Sequence, residues 1–181
     1  GRQDELALLY SAHFCRDCGQ EYHPVWRTES GNVSFNPRDI SETSNNEEAE
    51  QSFGFLCPKT ENLAYKGLLE ELPEHWIDFS KAEPKLKPSY KNAAPIEYKV
   101  DPQGNTGRGT DFWFVPGKFR FCLACSRSHD AHGKDSNRLS SLSGEGRSSA
   151  TTVLTLAALR QLFALQDLPD DLPDPRKLLG F

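Results

Sequence analysis

The sequence predicts an α+β protein in which cysteine knuckles close a small β-rich unit, followed by a long buried helix and one further strand. Three observations predict it. Two Cys-x-x-Cys pairs, Cys15/Cys18 in "HFCRDCGQEYHPV" and Cys122/Cys125 in "FRFCLACSRSHDAHGK", each follow an aromatic residue and precede polar residues and a histidine. Between the pairs, short apolar and aromatic runs alternate with turn residues, the signature of brief strands. After them, "SSATTVLTLAALRQLFAL" is apolar around most of a helical circumference, so its helix is expected to be nearly buried.

The elements follow in chain order. "LALLYSAHFC" leads into the first pair and "QEYHPVW" returns from it, a hairpin with a knuckle at its tip. The Ser-, Asn- and Glu-rich stretch over about 27–50 is poor in large apolar residues and reads as a disordered acidic loop. "FGFLC" resumes a strand, "ENLAYKGLLEEL" reads as a short helix ended by Pro73, and "PEHWIDF" follows. A proline- and lysine-rich connection leads to the strand "IEYKV". The turn-prone "DPQGNTGRGT" follows, then the strands "DFWFV" and "KFRFC" around a Pro-Gly turn. Two parts are therefore expected: a knuckle-closed unit over 1–130, and a loop, helix and strand over 131–181. Ser148 or Ser149 supplies the helix N-cap, and "KLLGF" is the closing strand.

Composition narrows the classes. The 181 residues carry a net charge of −5, with mean hydropathy −0.64 and 36% hydrophobic residues. No run approaches the ~18 apolar residues of a membrane helix, and "GRQDELALLY" has no secretory pattern, so no membrane is expected and the expected compartment is the cytoplasm. The lack of methionine, even at position 1, reads as a piece of a longer chain. Charge is unevenly spread. Five acids and no base lie between Asp39 and Glu50, whereas eight bases face four acids between Lys81 and Arg120, which leaves room for an anionic partner.

The cysteine pairs are the most specific signal. Each can place two thiolates on one tetrahedral Zn²⁺, and together Cys15, Cys18, Cys122 and Cys125 would close a structural site with no open position. The 103 residues between Cys18 and Cys122 are no obstacle, because lengthening a loop adds little to its closure entropy. Disulfides are disfavoured by a reducing compartment and the odd total of five cysteines. A second zinc arrangement stays open, in which Cys122, Cys125, His129 and His132 bind one ion and His23 serves the first pair. Cys57 in "FLCPKT" reads as a small buried hydrophobe.

Nucleotide chemistry is not written here. There is no G-x-x-x-x-G-K-[ST] loop, so the chain alone is expected to be non-catalytic. "GEGRSSAT" has two glycines ahead of a helix start, where free N–H groups favour an anion, so Arg147, Ser148 and Ser149 are candidate phosphate contacts. Phe112, Trp113 and Phe114 could stack bases, or alternate into a core.

Taken together, "FCRDCGQEYHPV", "LPEHWIDF", "FRFCLACS", "LSGEGRSSATTVLTLAALRQL" and "RKLLGF" resemble the middle of large bacterial superfamily 2 DEAD/DEAH-box helicases of Lhr-like or DISARM type, often associated with a DUF1998-like region. The resemblance implies a cysteine-bearing insert between two RecA-like motor domains, with "KLLGF" as the first strand of the second. It implies DNA, or RNA, as partner of the parent protein. It also implies that ATP and Mg²⁺ are bound by the parent outside this segment. A zinc-stabilised protein-interaction module without nucleic-acid binding is the alternative.

Overall fold

The computed structural model describes residues 7–47, 50–80, 82–130 and 132–141. The chain divides between Ser141 and Leu142, and everything described belongs to the first unit. Nine strands run in it: β1 (His13–Cys15), β2 (Glu21–Thr28), β3 (Ser34–Pro37), β4 (Gln51–Pro58), β5 (Ile77–Asp78), β6 (Lys85–Leu86), β7 (Ile96–Val100), β8 (Thr110–Pro116) and β9 (Leu139–Ser141). Seven form one antiparallel sheet in the order β7-β8-β4-β2-β1-β9, with β3 also on β2, while β5 and β6 pair separately.

β2 organises the sheet. Along one edge it pairs first with β1 (His13 opposite Tyr22) and then with β3 (Arg27 opposite Phe35). Along the other edge it pairs with β4 from His23/Leu56 to Thr28/Gln51. Strand alternation then splits the apolar side chains between two cores. Tyr22, Phe55, Cys57, Trp113 and Val115 enter the larger one with Phe119, Phe121, Leu123 and Leu139. Val25, Leu56 and Phe114 enter the smaller with Phe35 and Val100.

The α+β expectation is corrected: the described residues form an antiparallel β architecture with 3-10 turns and no α-helix. The predicted long helix over 148–165 and the "KLLGF" strand lie outside the described residues. "ENLAYKGLLEEL" supplies only the 3-10 turn Leu69–Glu71. Gly67 sits at φ +107°, a conformation no helix offers. The Glu71 carboxylate accepts the N–H groups of Lys66 and Leu68 at 2.6 and 3.0 Å, tying off the turn locally. Leu63, Tyr65 and Leu72 still reach the core, by a turned path instead of a helical face.

"KFRFC" is likewise not a strand. Phe119 and Phe121 are both buried, as alternation requires, but the backbone of Phe119 is held by side chains: its N–H donates to Asp135 Oδ1 at 3.0 Å and its C=O accepts from Arg138 Nη1 at 2.8 Å.

The segment over 27–50, expected as a disordered acidic loop, carries β3 and a buried cation. Arg38 is 4% exposed and donates to the carbonyls of Val25, Asp39, Ile40, Glu42 and Gly54, while its guanidinium lies 5.1 Å from the Phe55 ring centre. One arginine thus satisfies the carbonyls that a polar loop leaves unpaired.

Candidate metal centre

The two knuckles have the same backbone. Gly19 N–H donates to Cys15 O at 2.8 Å and Ser126 N–H to Cys122 O at 3.0 Å; Cys15 N–H donates to Gln20 O and Cys122 N–H to Arg127 O, both at 2.9 Å. The residue after each second cysteine has positive φ, Gly19 at +78° and Ser126 at +59°. The flanks match as well. Phe14 lies opposite Glu21, and Phe121 opposite Ser128. Every position of one knuckle maps onto the other by a constant offset, so Tyr22 in the first corresponds to His129 in the second. Each turn aims the two thiols of its pair at one point.

The fold makes the two points coincide. The Sγ atoms of Cys15, Cys18, Cys122 and Cys125 all lie within 4.8 Å of one another, and Cys18 and Cys122 are 3.6 Å apart. Sulfurs set about 2.3 Å from a central ion at tetrahedral angles are about 3.8 Å apart, so the donor set suits such an ion. The cluster is two-sided. Cys15 and Cys122 are buried among the larger core, whereas Cys18 and Cys125 are exposed. All five cysteines are free thiols, and Cys57 is buried in the core as expected.

As thiols the four share protons unevenly. The hydrogen bond between Cys15 and Cys122 pushes Cys15 well above the ordinary thiol range, with burial adding to it. The same bond holds Cys122 down at about 4 against the opposing effect of burial, helped by the N–H groups of Cys125 and Ala124 and by the Tyr22 hydroxyl. Burial lifts Cys18 to about 12. Metal uptake would displace the protons these sulfurs share.

The histidines are elsewhere. His23 is engaged through Nδ1 with Ser11 O at 3.2 Å and through Nε2 with Glu21 at 3.1 Å. His129 packs its ring 5.6 Å from that of Phe119, and His132 accepts a backbone contact from Arg138. None joins the four-sulfur group, so the arrangement using Cys122, Cys125, His129 and His132 is not the one assembled. Arg147, Ser148 and Ser149 lie outside the described residues. Trp113 and Phe114 point to opposite faces of β8 and are both buried, which makes them core and not a stacking platform.

Sequence reasoning missed Tyr22. Its hydroxyl, fully buried, donates to Cys122 Sγ at 3.3 Å and accepts from Leu123 N–H at 2.8 Å. The only signal for it was its place four residues beyond Cys18, where the second knuckle carries His129.

Among the described residues these features define an antiparallel β unit with a four-cysteine cluster fit for a metal ion such as zinc. No protein-family model, curated protein or solved structure matches the chain. Among the described residues no helix is long and apolar enough to cross a membrane.

Proposed function

We propose that this chain is a structural zinc module of an ATP-dependent superfamily 2 helicase or translocase, contacting nucleic acid within the parent protein while ATP and Mg²⁺ are handled elsewhere in it. The observation that carries the structural role is the convergence of four cysteine sulfurs, from knuckles 103 residues apart, on one point at the edge of the larger core. Four thiolates fill a tetrahedron and leave no position for water or substrate, so the ion would clamp the two ends of the inserted sheet together. The helicase setting is supported by the resemblance of the cysteine, "LPEHWIDF" and "LSGEGRSSATTVL" segments, and the nucleic-acid contact by the excess of bases between Lys81 and Arg120.

Elemental analysis of the purified chain should find one zinc per molecule, removable only with loss of folding. Titration with single-stranded and duplex DNA at increasing salt should show affinity falling with salt, since phosphate contacts release counterions. Zinc without any DNA binding would overturn the nucleic-acid part and favour the protein-interaction module. A folded protein without zinc would overturn the structural-metal part.

A further inference from the structure

We propose that Tyr22 is a positioning residue of the metal centre: its hydroxyl is a fixed hydrogen-bond donor to the Cys122 thiolate, joining the two knuckles and setting how tightly the metal is held. This rests on the reading that the four cysteines bind a metal. The residue belongs to the first knuckle, two residues past Gln20, yet its hydroxyl meets the second. It donates to Cys122 Sγ at 3.3 Å, and Leu123 N–H, the next residue's amide, donates to the same oxygen at 2.8 Å.

The geometry leaves this hydroxyl little freedom. The ring is 0% exposed and packs edge-on against Phe119 with centroids 4.8 Å apart. With the amide of Leu123 occupying one lone pair, the single proton faces two sulfurs, Cys122 at 3.3 Å and the buried Cys57; a metal-bound Cys122 thiolate is the stronger acceptor of the two, and the amide polarises the O–H toward stronger donation. Cys57 lies in the same buried neighbourhood, its Sγ accepting from Gln20 Nε2 at 3.5 Å, and like Cys122 it is 0% exposed. A donor aimed at a ligating thiolate lowers the charge density on sulfur and fixes its lone pairs, the role that groups just outside a metal's ligands play generally.

The internal repeat isolates the effect. At the corresponding place of the second knuckle stands His129, whose Nε2 is buried without a hydrogen bond and whose ring rests on Phe119. The two halves share a backbone, but only the first reaches across to the opposite pair. Cys122 is accordingly the sulfur most tightly held, and a ligand released during metal exchange would come from the exposed Cys18 or Cys125.

The test uses the full chain loaded with Co²⁺, whose sulfur-to-metal charge-transfer absorption reports the electron density on the thiolates, and with Zn²⁺ for release to a chelator. Tyr22→Phe should still bind one equivalent, with the absorption moved to longer wavelength and zinc released ~10- to 100-fold faster. Tyr65→Phe alters another buried tyrosine of the same core, packed on Trp113, and should move neither readout. Identical spectra and release rates for Tyr22→Phe and wild type would overturn the proposal, whereas a wild type that takes up neither Co²⁺ nor Zn²⁺ would overturn the metal reading beneath it. Should Tyr22→Phe not fold, 3,5-difluorotyrosine installed at position 22 keeps the shape and makes the hydroxyl a stronger donor. Its absorption should move to shorter wavelength, and an unmoved band would again reject the role.

Discussion

The two cysteine knuckles have one backbone and two kinds of support. The first grows out of strands: β1 is held between β2 and β9, so its cysteine turn is an ordinary hairpin tip. The second has almost no strand beneath it. Its approach, residues 119–121, is held by Asp135 and Arg138 from a short 3-10 turn, by a single bridge from Phe121 to Ser128, and by the Tyr22 hydroxyl at Leu123. The difference teaches that the knuckle is a local device, needing only the spacing of two cysteines and one residue of positive φ. Where it sits is decided by whatever long-range contact can take up the neighbouring amides and carbonyls.

The largest effect should come from cutting the contact that both knuckles share. Cys15→Ser and Cys122→Ser, on the buried side, should each abolish stoichiometric zinc and cost at least several kcal/mol, because the binding free energy of a structural zinc is folding free energy. Melting curves with and without added zinc would show this as loss of the metal-dependent part of the transition. If Cys18→Ser, on the exposed side, were the more damaging, the asymmetry drawn between the two sides would be wrong.

Next in size is Arg138→Ala. It strips donors from the carbonyls of Phe119, Asp130 and His132 and so loosens the second knuckle alone. A loss of about 2–3 kcal/mol is expected, in line with hydrogen bonds from a charged group. Hydrogen exchange should rise at Cys122 and Ser126 and stay unchanged at Cys15 and Gly19. Equal loosening of both would show that the halves are one cooperative unit.

The turn residues give a smaller, paired test. Gly19→Ala places a Cβ in open space, with no atom within 4 Å, so its cost is that of the backbone conformation alone, about 1–2 kcal/mol. Ser126→Gly relieves the matching conformation in the second knuckle and should be neutral to stabilising by about 0.5 kcal/mol. Opposite signs in urea melts are the expected result.

Asp135→Asn is the subtlest and is defined by its direction with pH. Burial holds the Asp135 carboxyl above its ordinary range, despite the Phe119 N–H it accepts. A group raised in the folded state favours folding while protonated, and that contribution is lost as pH rises through its folded value. Relative to Asp135→Asn, the wild type should therefore lose stability on going from about pH 4 to neutrality. Parallel pH profiles for the two proteins would contradict a buried, proton-favouring Asp135.

Sequence alone determined what depends on neighbours along the chain. The two cysteine pairs that come together, the hairpin from "HFC" to "QEYHPVW", and the strands "FGFLC", "IEYKV" and "DFWFV" were all legible, because alternation and knuckle spacing are short-range patterns. Tertiary structure decided the rest. Phe119 and Phe121 alternate like a strand, but whether a β ladder or two side chains satisfy their backbone depends on residues some sixteen positions further on. Leu63, Tyr65 and Leu72 suggest a helical face, yet Gly67 and the Glu71 carboxylate turn the chain instead. The stretch around Arg38 looked unstructured because its anchor is one cation whose carbonyl partners come from β2, β4 and the loop together. Tyr22 is the sharpest case, since a tyrosine inside a strand carries no mark of the sulfur it will meet 100 residues away. Spacing can encode which atoms bind a metal, but the donors that orient those atoms are chosen by the packing that brings distant segments together.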